Sequence, residues 1–201
     1  WPGDMAISGM ALAMKLEKHL KSFPIEIKTG QKVVSVETEK GLFAVQIEDG
    51  EIFEAKSLII ATGRNARNLD LDGEENFVGK GLSYCSICDA PFFKNKQVAV
   101  IGGGNAGFET AMDLAKYAKQ VFLFEKNNKI LADQALVEDV KKIEKIQVCL
   151  QTEILKIEGN GKVESIVYKD LVSGKIMQQP MEGVFVQIGS IPATAFLGDL
   201  A

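Results

Sequence analysis

The stretch from Val98 to Glu125 narrows most sharply what this chain can fold into. Val98-Ala99-Val100-Ile101 is a short apolar run closed at once by Gly102-Gly103-Gly104-Asn105-Ala106-Gly107. Apolar residues then recur at helical spacing: Phe108, Ala111, Met112, Leu114, Ala115 and Ala118. A second apolar run, Val121-Phe122-Leu123-Phe124, ends on Glu125. Strand, glycine turn, helix, strand and acid in that order predict a parallel, Rossmann-like unit whose helix crosses one sheet face.

The glycines fit G-x-G-x-x-G in the context that gives this pattern meaning, after a strand and opening a helix. Gly102 allows the tight turn, Gly104 lets a pyrophosphate approach the backbone, and Gly107 permits close helix–strand packing. The N–H groups and positive dipole end near Asn105 would hold the phosphates. Glu125 lies where an acid can accept hydrogen bonds from an adenosine ribose; the bland alternative is a solvated charge at a strand end.

Just upstream, Cys85-Ser86-Ile87-Cys88-Asp89 has the C-x-x-C spacing that closes a small reversible disulfide. Such pairing lowers one thiol from about 8.5 toward about 7, so that about half is thiolate at neutral pH. Asp89 could carry the proton that dithiol exchange must move, or could simply cap a turn. Cys149, between Val148 and Leu150 in an apolar run, reads as an inert core thiol. Three cysteines and one histidine, His19, are too scattered for a structural zinc site and too few for a secreted disulfide scaffold. A reducing, cytoplasmic setting is expected. The net charge of −4 argues against nucleic acid or an anionic membrane as partner, and no apolar run approaches a membrane span.

Around this centre, residues 6–21 predict an amphipathic surface helix capped by Ser8, with His19 solvated. Strands are expected at 25–28, 33–38, 43–47 and 52–55, with Asp49-Gly50 turning a hairpin. The apolar run 57–61 reads as a strand buried on both faces, closed by Thr62-Gly63-Arg64. Residues 65–80 are polar and turn-rich, and read as a linker. A second helix is expected from about 132 to 143, then strands at 146–150 and 154–158. A hairpin through Ser173-Gly174 and a last strand at 183–189 complete an α/β fold with a parallel sheet and an inserted β-hairpin.

The Cys85–Asp89 motif, the Phe92-Phe93 turn and the segment Val98–Gly107 resemble the low-molecular-weight thioredoxin reductases. The alkyl hydroperoxide reductase flavoprotein is similar. The likeness runs through Trp1-Pro2-Gly3, Ile7-Ser8-Gly9, Ala61-Thr62-Gly63, and Phe185, Gly189, Pro192 and Thr194. It implies an FAD domain in two chain segments, residues 1–67 and 189–201, around a nicotinamide domain at 68–188 that carries the dithiol. It implies FAD contacts at Thr62, Gly63 and Gly189, and nicotinamide-nucleotide contacts at Gly102, Gly104, Asn105, Gly107, Glu125 and Lys126. The implied relay runs from nicotinamide through flavin to the disulfide, with Cys88 facing the isoalloxazine, Cys85 attacking the protein substrate and Asp89 as acid/base. In that family the inserted domain rotates between the two half-reactions. The implied partners are a thioredoxin-like or peroxiredoxin-system protein, and the implied assembly of the complete protein is a homodimer.

The family's first FAD motif would precede Trp1 and its terminal Gly-Asp motif would follow Ala201; Gly198-Asp199 lacks the strand and helix that would flank it. The chain therefore reads as an internal piece of a reductase, expected to hold nicotinamide nucleotide better than flavin. NADP-preferring thioredoxin reductases show a His-Arg-Arg run where this chain has Glu125-Lys126-Asn127, so NADH is expected over NADPH, with Lys126 a cation that could partly accommodate a phosphate. Two rival classes are a nicotinamide-binding regulatory or electron-transfer module with incidental thiols, and a thiol-redox interaction module that no longer uses nicotinamide.

Overall fold

The computed structural model describes residues 1–200, which form two compact units, residues 1–61 with 194–200, and residues 62–193. In the first unit, helix α1 (Gly9–Leu20) starts at Ser8, whose hydroxyl accepts the Ala11 N–H at 3.2 Å. None of its residues is buried. Strands β1 (Val33–Glu39), β2 (Leu42–Ile47) and β3 (Ile52–Ala55) form an antiparallel meander, and Asp49-Gly50 turns the β2–β3 hairpin. A 3-10 turn at Ala195–Leu200 packs on β1, and Val36, Ile47 and Leu197 are the buried apolar residues of this unit.

Two expected strands of this unit do not form. Residues 25–28 are irregular and Ile25 and Ile27 are exposed; Pro24 removes a backbone donor at the start of the run. The run 57–61 takes no regular secondary structure and is unpaired among the described residues, with Ile59 91% exposed. An apolar run becomes a doubly buried strand only where neighbouring strands take up its backbone groups, and here none does among the described residues.

The second unit begins with β4 (Arg64–Ala66), which pairs antiparallel with the last strand of the unit. A 3-10 turn at Glu74–Phe77 leads to β5 (Leu82–Ser83), then to a single helical turn, α2 (Ser86–Asp89). Next come β6 (Gln97–Ile101), α3 (Asn105–Ala115), β7 (Gln120–Phe124), α4 (Gln134–Lys141) and β8 (Ile146–Cys149). Strands β9 (Thr152–Glu158), β10 (Ser165–Asp170) and β11 (Ile176–Pro180) follow, then β12 (Gly183–Val186) and β13 (Ser190–Pro192). The parallel sheet has the order β5-β12-β6-β7-β8, and β9, β10 and β11 form a separate antiparallel sheet.

Strand alternation divides the core between the faces of the parallel sheet. Val98, Val100, Val121, Leu123 and Phe185 pack beneath Phe108, Ala111 and Leu114 of α3. Ala99, Ile101, Phe122, Phe124, Val184 and Val186 pack against Ile154, Ile157 and Ile166 of the antiparallel sheet. The central strands read as unbroken apolar runs because helices cover one face and a second sheet the other. The architecture is the expected α/β class with a parallel sheet and the β10–β11 hairpin inserted before the last sheet strand.

Residues 65–80 are not a linker. Leu69, Leu71 and Phe77 join the core, and Glu74 is buried, accepting the Leu69 and Leu71 N–H groups and the Tyr84 hydroxyl (2.9 Å). Burial and this acidic neighbour push the Tyr84 phenol up to about 12. The polar character that suggests a loop thus includes a carboxylate serving buried backbone donors.

Candidate functional site

Chemistry enters at two places that meet at the N-terminus of α3. The first lies where β5 ends. Cys85 is the N-cap of α2, its sulfur accepting the Cys88 N–H at 3.2 Å. Cys85 and Cys88 are joined by a disulfide, their Cα atoms 5.4 Å apart. Cys88 is exposed and Cys85 half-buried. The buried Ser83 hydroxyl accepts the Cys85 N–H at 3.0 Å and donates to Asp89 Oδ2 at 2.6 Å. Asp89 is thereby fixed beside the dithiol by a residue that the sequence did not single out. A cleft of about 250 Å³ opens here between Tyr84, Cys85, Ser86 and the α3 residues Ala106 and Thr110.

Cys149 is a free thiol, half-buried at the end of β8, and burial pushes its thiol up. Thiol alkylation with and without reductant is expected to differ by two groups per chain. Cys149 should react slowly in both, since a raised thiol is less thiolate at a given pH. A disulfide involving Cys149 would contradict this arrangement.

The second place is the glycine loop. Gly102 sits at φ +120°, where a side chain would collide with the Gln187 carbonyl, and a Cβ on Gly107 would fall on the carbonyl oxygen of Gly102. Gly104, the N-cap of α3, faces open space, with nothing within 4 Å of where its Cβ would lie. The loop is therefore closed behind and open in front, and the start of α3, whose first N–H groups have no intrahelical partner, lines the opening at Gly104, Asn105 and Ala106.

That opening is a cavity of about 620 Å³, which Gly102, Gly104, Asn105, Glu125, Lys126 and Gly189 all line. Gly107 lies behind it as packing. Thr62 and Gly63 lie elsewhere, at the two-stranded ribbon where the Gly63 carbonyl accepts the Ala193 N–H. Gly189 reaches the cavity because its carbonyl accepts the Arg67 N–H at 3.0 Å, tying the chain beyond β12 to the loop after β4.

Glu125 is only 7% exposed, and its carboxylate organises the loop. Oε2 accepts the Gly103 N–H at 2.6 Å, while Oε1 accepts the Asn127 backbone N–H and side-chain amide, each at 2.7 Å. A carboxylate oxygen can accept two bonds, so Oε2 keeps one site for a ligand hydroxyl. Asn105 and Asp133, the N-cap of α4, exchange reciprocal bonds of 2.9 and 2.8 Å, and Leu131 N–H donates to the Gly103 carbonyl. Lys126 makes an ion pair with Glu153 of β9 at 2.7 Å.

Several site residues carried no sequence signal. Gly103, Asn127, Gln187 and Glu153 line the cavity; Gly103 lies inside the glycine motif and Asn127 two residues after Glu125, while Gln187 and Glu153 are brought in from elsewhere in the chain by backbone pairing across the fold. Among the described residues no cluster of three or more metal-ligating side chains occurs.

The donors, the open glycine and the buried acid fit a dinucleotide at the 620 Å³ cavity. Flavin is different: the described residues of the first unit contain a β-meander and α1 but no glycine loop between a strand and a helix. They form no pyrophosphate cradle for FAD.

Comparison with known proteins agrees with this geometry. The family model described as pyridine nucleotide-disulphide oxidoreductase matches residues 4–201. The F component of alkyl hydroperoxide reductase from Escherichia coli (strain K12) is 37% identical over 193 residues, 94% of this chain and 37% of that protein. The protein of the same name from Staphylococcus aureus (strain NCTC 8325 / PS 47) is 35% identical over 192 residues, covering 96% of this chain and 38% of its own length. Among solved structures, T. acidophilum thioredoxin reductase has a TM-score of 0.77 at 36% identity, covering 99% of this chain and 65% of that one. Lactococcus lactis thioredoxin reductase (FR conformation) has a TM-score of 0.81 at 33% identity, covering 100% and 66%. The chain thus spans well under half the length of these curated relatives and about two thirds of these structures. With a match along nearly its whole length, and with dithiol and glycine loop on one parallel-sheet unit, the chain belongs to the pyridine nucleotide-disulphide oxidoreductase family.

Proposed function

We propose that the whole protein is a flavin-dependent disulfide reductase that passes electrons from NADH to the Cys85–Cys88 disulfide and on to a thioredoxin-like or peroxiredoxin-system protein. The observation that carries this reading is the convergence of two cavities at the N-terminus of α3. The dithiol cleft and the glycine-loop cavity share Ala106 and Gln187 as lining residues. One helix end thus serves both a nucleotide and a disulfide.

Gly104, Asn105 and Ala106 hold the pyrophosphate by backbone N–H groups and the helix dipole, while the Gly102 and Gly103 N–H groups are engaged by the Phe124 carbonyl and Glu125 Oε2. Glu125 Oε2 receives a ribose hydroxyl and disfavours a 2′-phosphate. Family membership implies a flavin as well as a nicotinamide nucleotide, and bound flavin supplies the two-electron coupling between nicotinamide and disulfide. Reduction of the disulfide takes two electrons and two protons, and Asp89, held by Ser83, delivers a proton to the departing sulfur. Cys85 then returns that proton to Asp89 and attacks the substrate disulfide as thiolate. Asp89 passes the proton to the substrate sulfur that leaves, and Cys88, yielding its proton to the second substrate sulfur, closes on Cys85 and releases the substrate as a dithiol. In this reading residues 68–188 are the nicotinamide domain, and residues 1–67 and 189–201 belong to the FAD side, Thr62, Gly63 and Gly189 among its flavin contacts. The setting is the reducing cytoplasm and the complete protein is a homodimer.

Anaerobic titration of the whole protein with NADH should release two thiols per chain, and Cys88→Ser should abolish disulfide reduction. Turnover that survives Cys88→Ser would overturn the dithiol reading and leave a nicotinamide-binding module. NADH should be preferred over NADPH by at least about tenfold in kcat/KM, equivalent to ~1.4 kcal/mol. Preference for NADPH in the unsubstituted protein would overturn that part.

A further inference from the structure

Glu125 is the acid that the sequence pattern offers as the reader of the ribose, yet three of its acceptor positions are taken by N–H groups of this chain. A second carboxylate stands in the same cavity. Beyond β7 the chain continues its pairing with the segment after β8: Thr152 N–H donates to the Glu125 carbonyl at 3.0 Å and Gln151 N–H to the Asn127 carbonyl at 3.1 Å. This clamp fixes Glu153, the second residue of β9, beside Lys126, and both line the cavity together with Glu125.

We propose that Glu153 is a second determinant of nucleotide choice, selecting against a 2′-phosphate by engaging Lys126, the cavity's cation, and by adding its own negative charge. The proposal rests on the dinucleotide reading of the glycine-loop cavity. Lys126 alone would offer a phosphate a favourable partner. Its ammonium is instead engaged at 2.7 Å by Glu153 Oε1. The Lys126 ammonium, and more weakly Lys169, holds the Glu153 carboxyl below its ordinary range. Lys169 stands opposite Glu153 in the β9–β10 register. The Glu153 carboxylate is thereby held in its charged form, and a 2′-phosphate would have to displace it from the Lys126 ammonium and sit near two carboxylates. An unphosphorylated ribose needs neither.

The test is calorimetric binding of NAD⁺ and NADP⁺ to the oxidised whole protein, using Glu153→Gln, Lys126→Ala and the double variant. Glu153→Gln should tighten NADP⁺ by about fivefold or more while NAD⁺ stays within about twofold, the unchanged NAD⁺ affinity also reporting an intact site. In the Lys126→Ala background the same substitution should tighten NADP⁺ by less than about twofold, because the cation to be released is gone. If the unsubstituted protein binds NAD⁺ and Glu153→Gln leaves NADP⁺ unchanged, the role of Glu153 is wrong and the cavity reading stands. A gain that persists in full without Lys126 likewise overturns the role of the pair. If the unsubstituted protein binds neither nucleotide, the cavity reading falls and this inference with it.

Discussion

Gly107→Ala is expected to destabilise the parallel-sheet unit by about 3 kcal/mol, lowering its thermal midpoint by roughly 5–10 °C, and to abolish nucleotide binding. The new methyl group would fall on the carbonyl oxygen of Gly102, in backbone that cannot yield without moving α3 away from β6. That movement would pull the first turn of α3 off the loop and disperse the N–H groups that converge there. Gly104→Ala makes the matching control. Its Cβ meets nothing within 4 Å, and the backbone at φ −88° suits any residue. Stability should therefore stay within about 1 kcal/mol of the unsubstituted protein, while affinity falls about tenfold because the methyl occupies the pyrophosphate's approach. Thermal denaturation without nucleotide, paired with calorimetric binding, separates the two. Equal stability of both variants, or equal loss in both, would mean that the loop is not closed behind and open in front.

What the sequence reveals of this fold depends on how local the determining contacts are. The strands β6 and β7 and helix α3 were legible because burial on both sheet faces writes itself as unbroken apolar runs, and helix burial as 3.6-residue spacing. The glycines were legible because their spacing is local: Gly107 packs against Gly102 inside one short loop, although the carbonyl that Gly102 must clear belongs to the distant Gln187. Residues 57–61 failed for the opposite reason. Their apolar run meets the compositional test for a buried strand, but the test cannot supply neighbours, and in the described residues none pairs with it. Residues 65–80 failed in the other direction, since β4 pairs with β13 more than a hundred residues later in the chain and Glu74 satisfies donors that composition counts only as loop polarity. Within the site, Cys85, Cys88 and the glycine loop announce themselves by spacing. Gln187 and Glu153 act through partners distant in sequence and so leave no local pattern to read, whereas Ser83 acts on Cys85 and Asp89 close by, through a turn that no motif records.

Glu125→Gln is the substitution from which the site should suffer most for the smallest change in shape. Both carboxylate oxygens accept N–H groups: Oε2 that of Gly103, and Oε1 those of Asn127. An amide can present only one oxygen, so its NH₂ must face either the Gly103 or the Asn127 donor, with a donor set against a donor in a place that is 7% exposed. Leaving one such buried donor unpaired costs about 1–3 kcal/mol, and losing charge-assisted bonds adds to it. The expected result is a loss of about 2–3 kcal/mol in the stability of the nucleotide-free protein. With the loop loosened and the ribose acceptor gone, NADH affinity should fall at least about tenfold. NADPH should lose less than NADH, because removing the anion also removes its repulsion of the 2′-phosphate, so the preference between the two narrows. Denaturation of the nucleotide-free protein and titration with both cofactors check the two halves independently. A Glu125→Gln protein as stable as the original but with a narrowed preference would reduce Glu125 to a ribose reader. One that is destabilised with unchanged relative affinities would make it a scaffold for the loop alone, leaving the discrimination to Glu153.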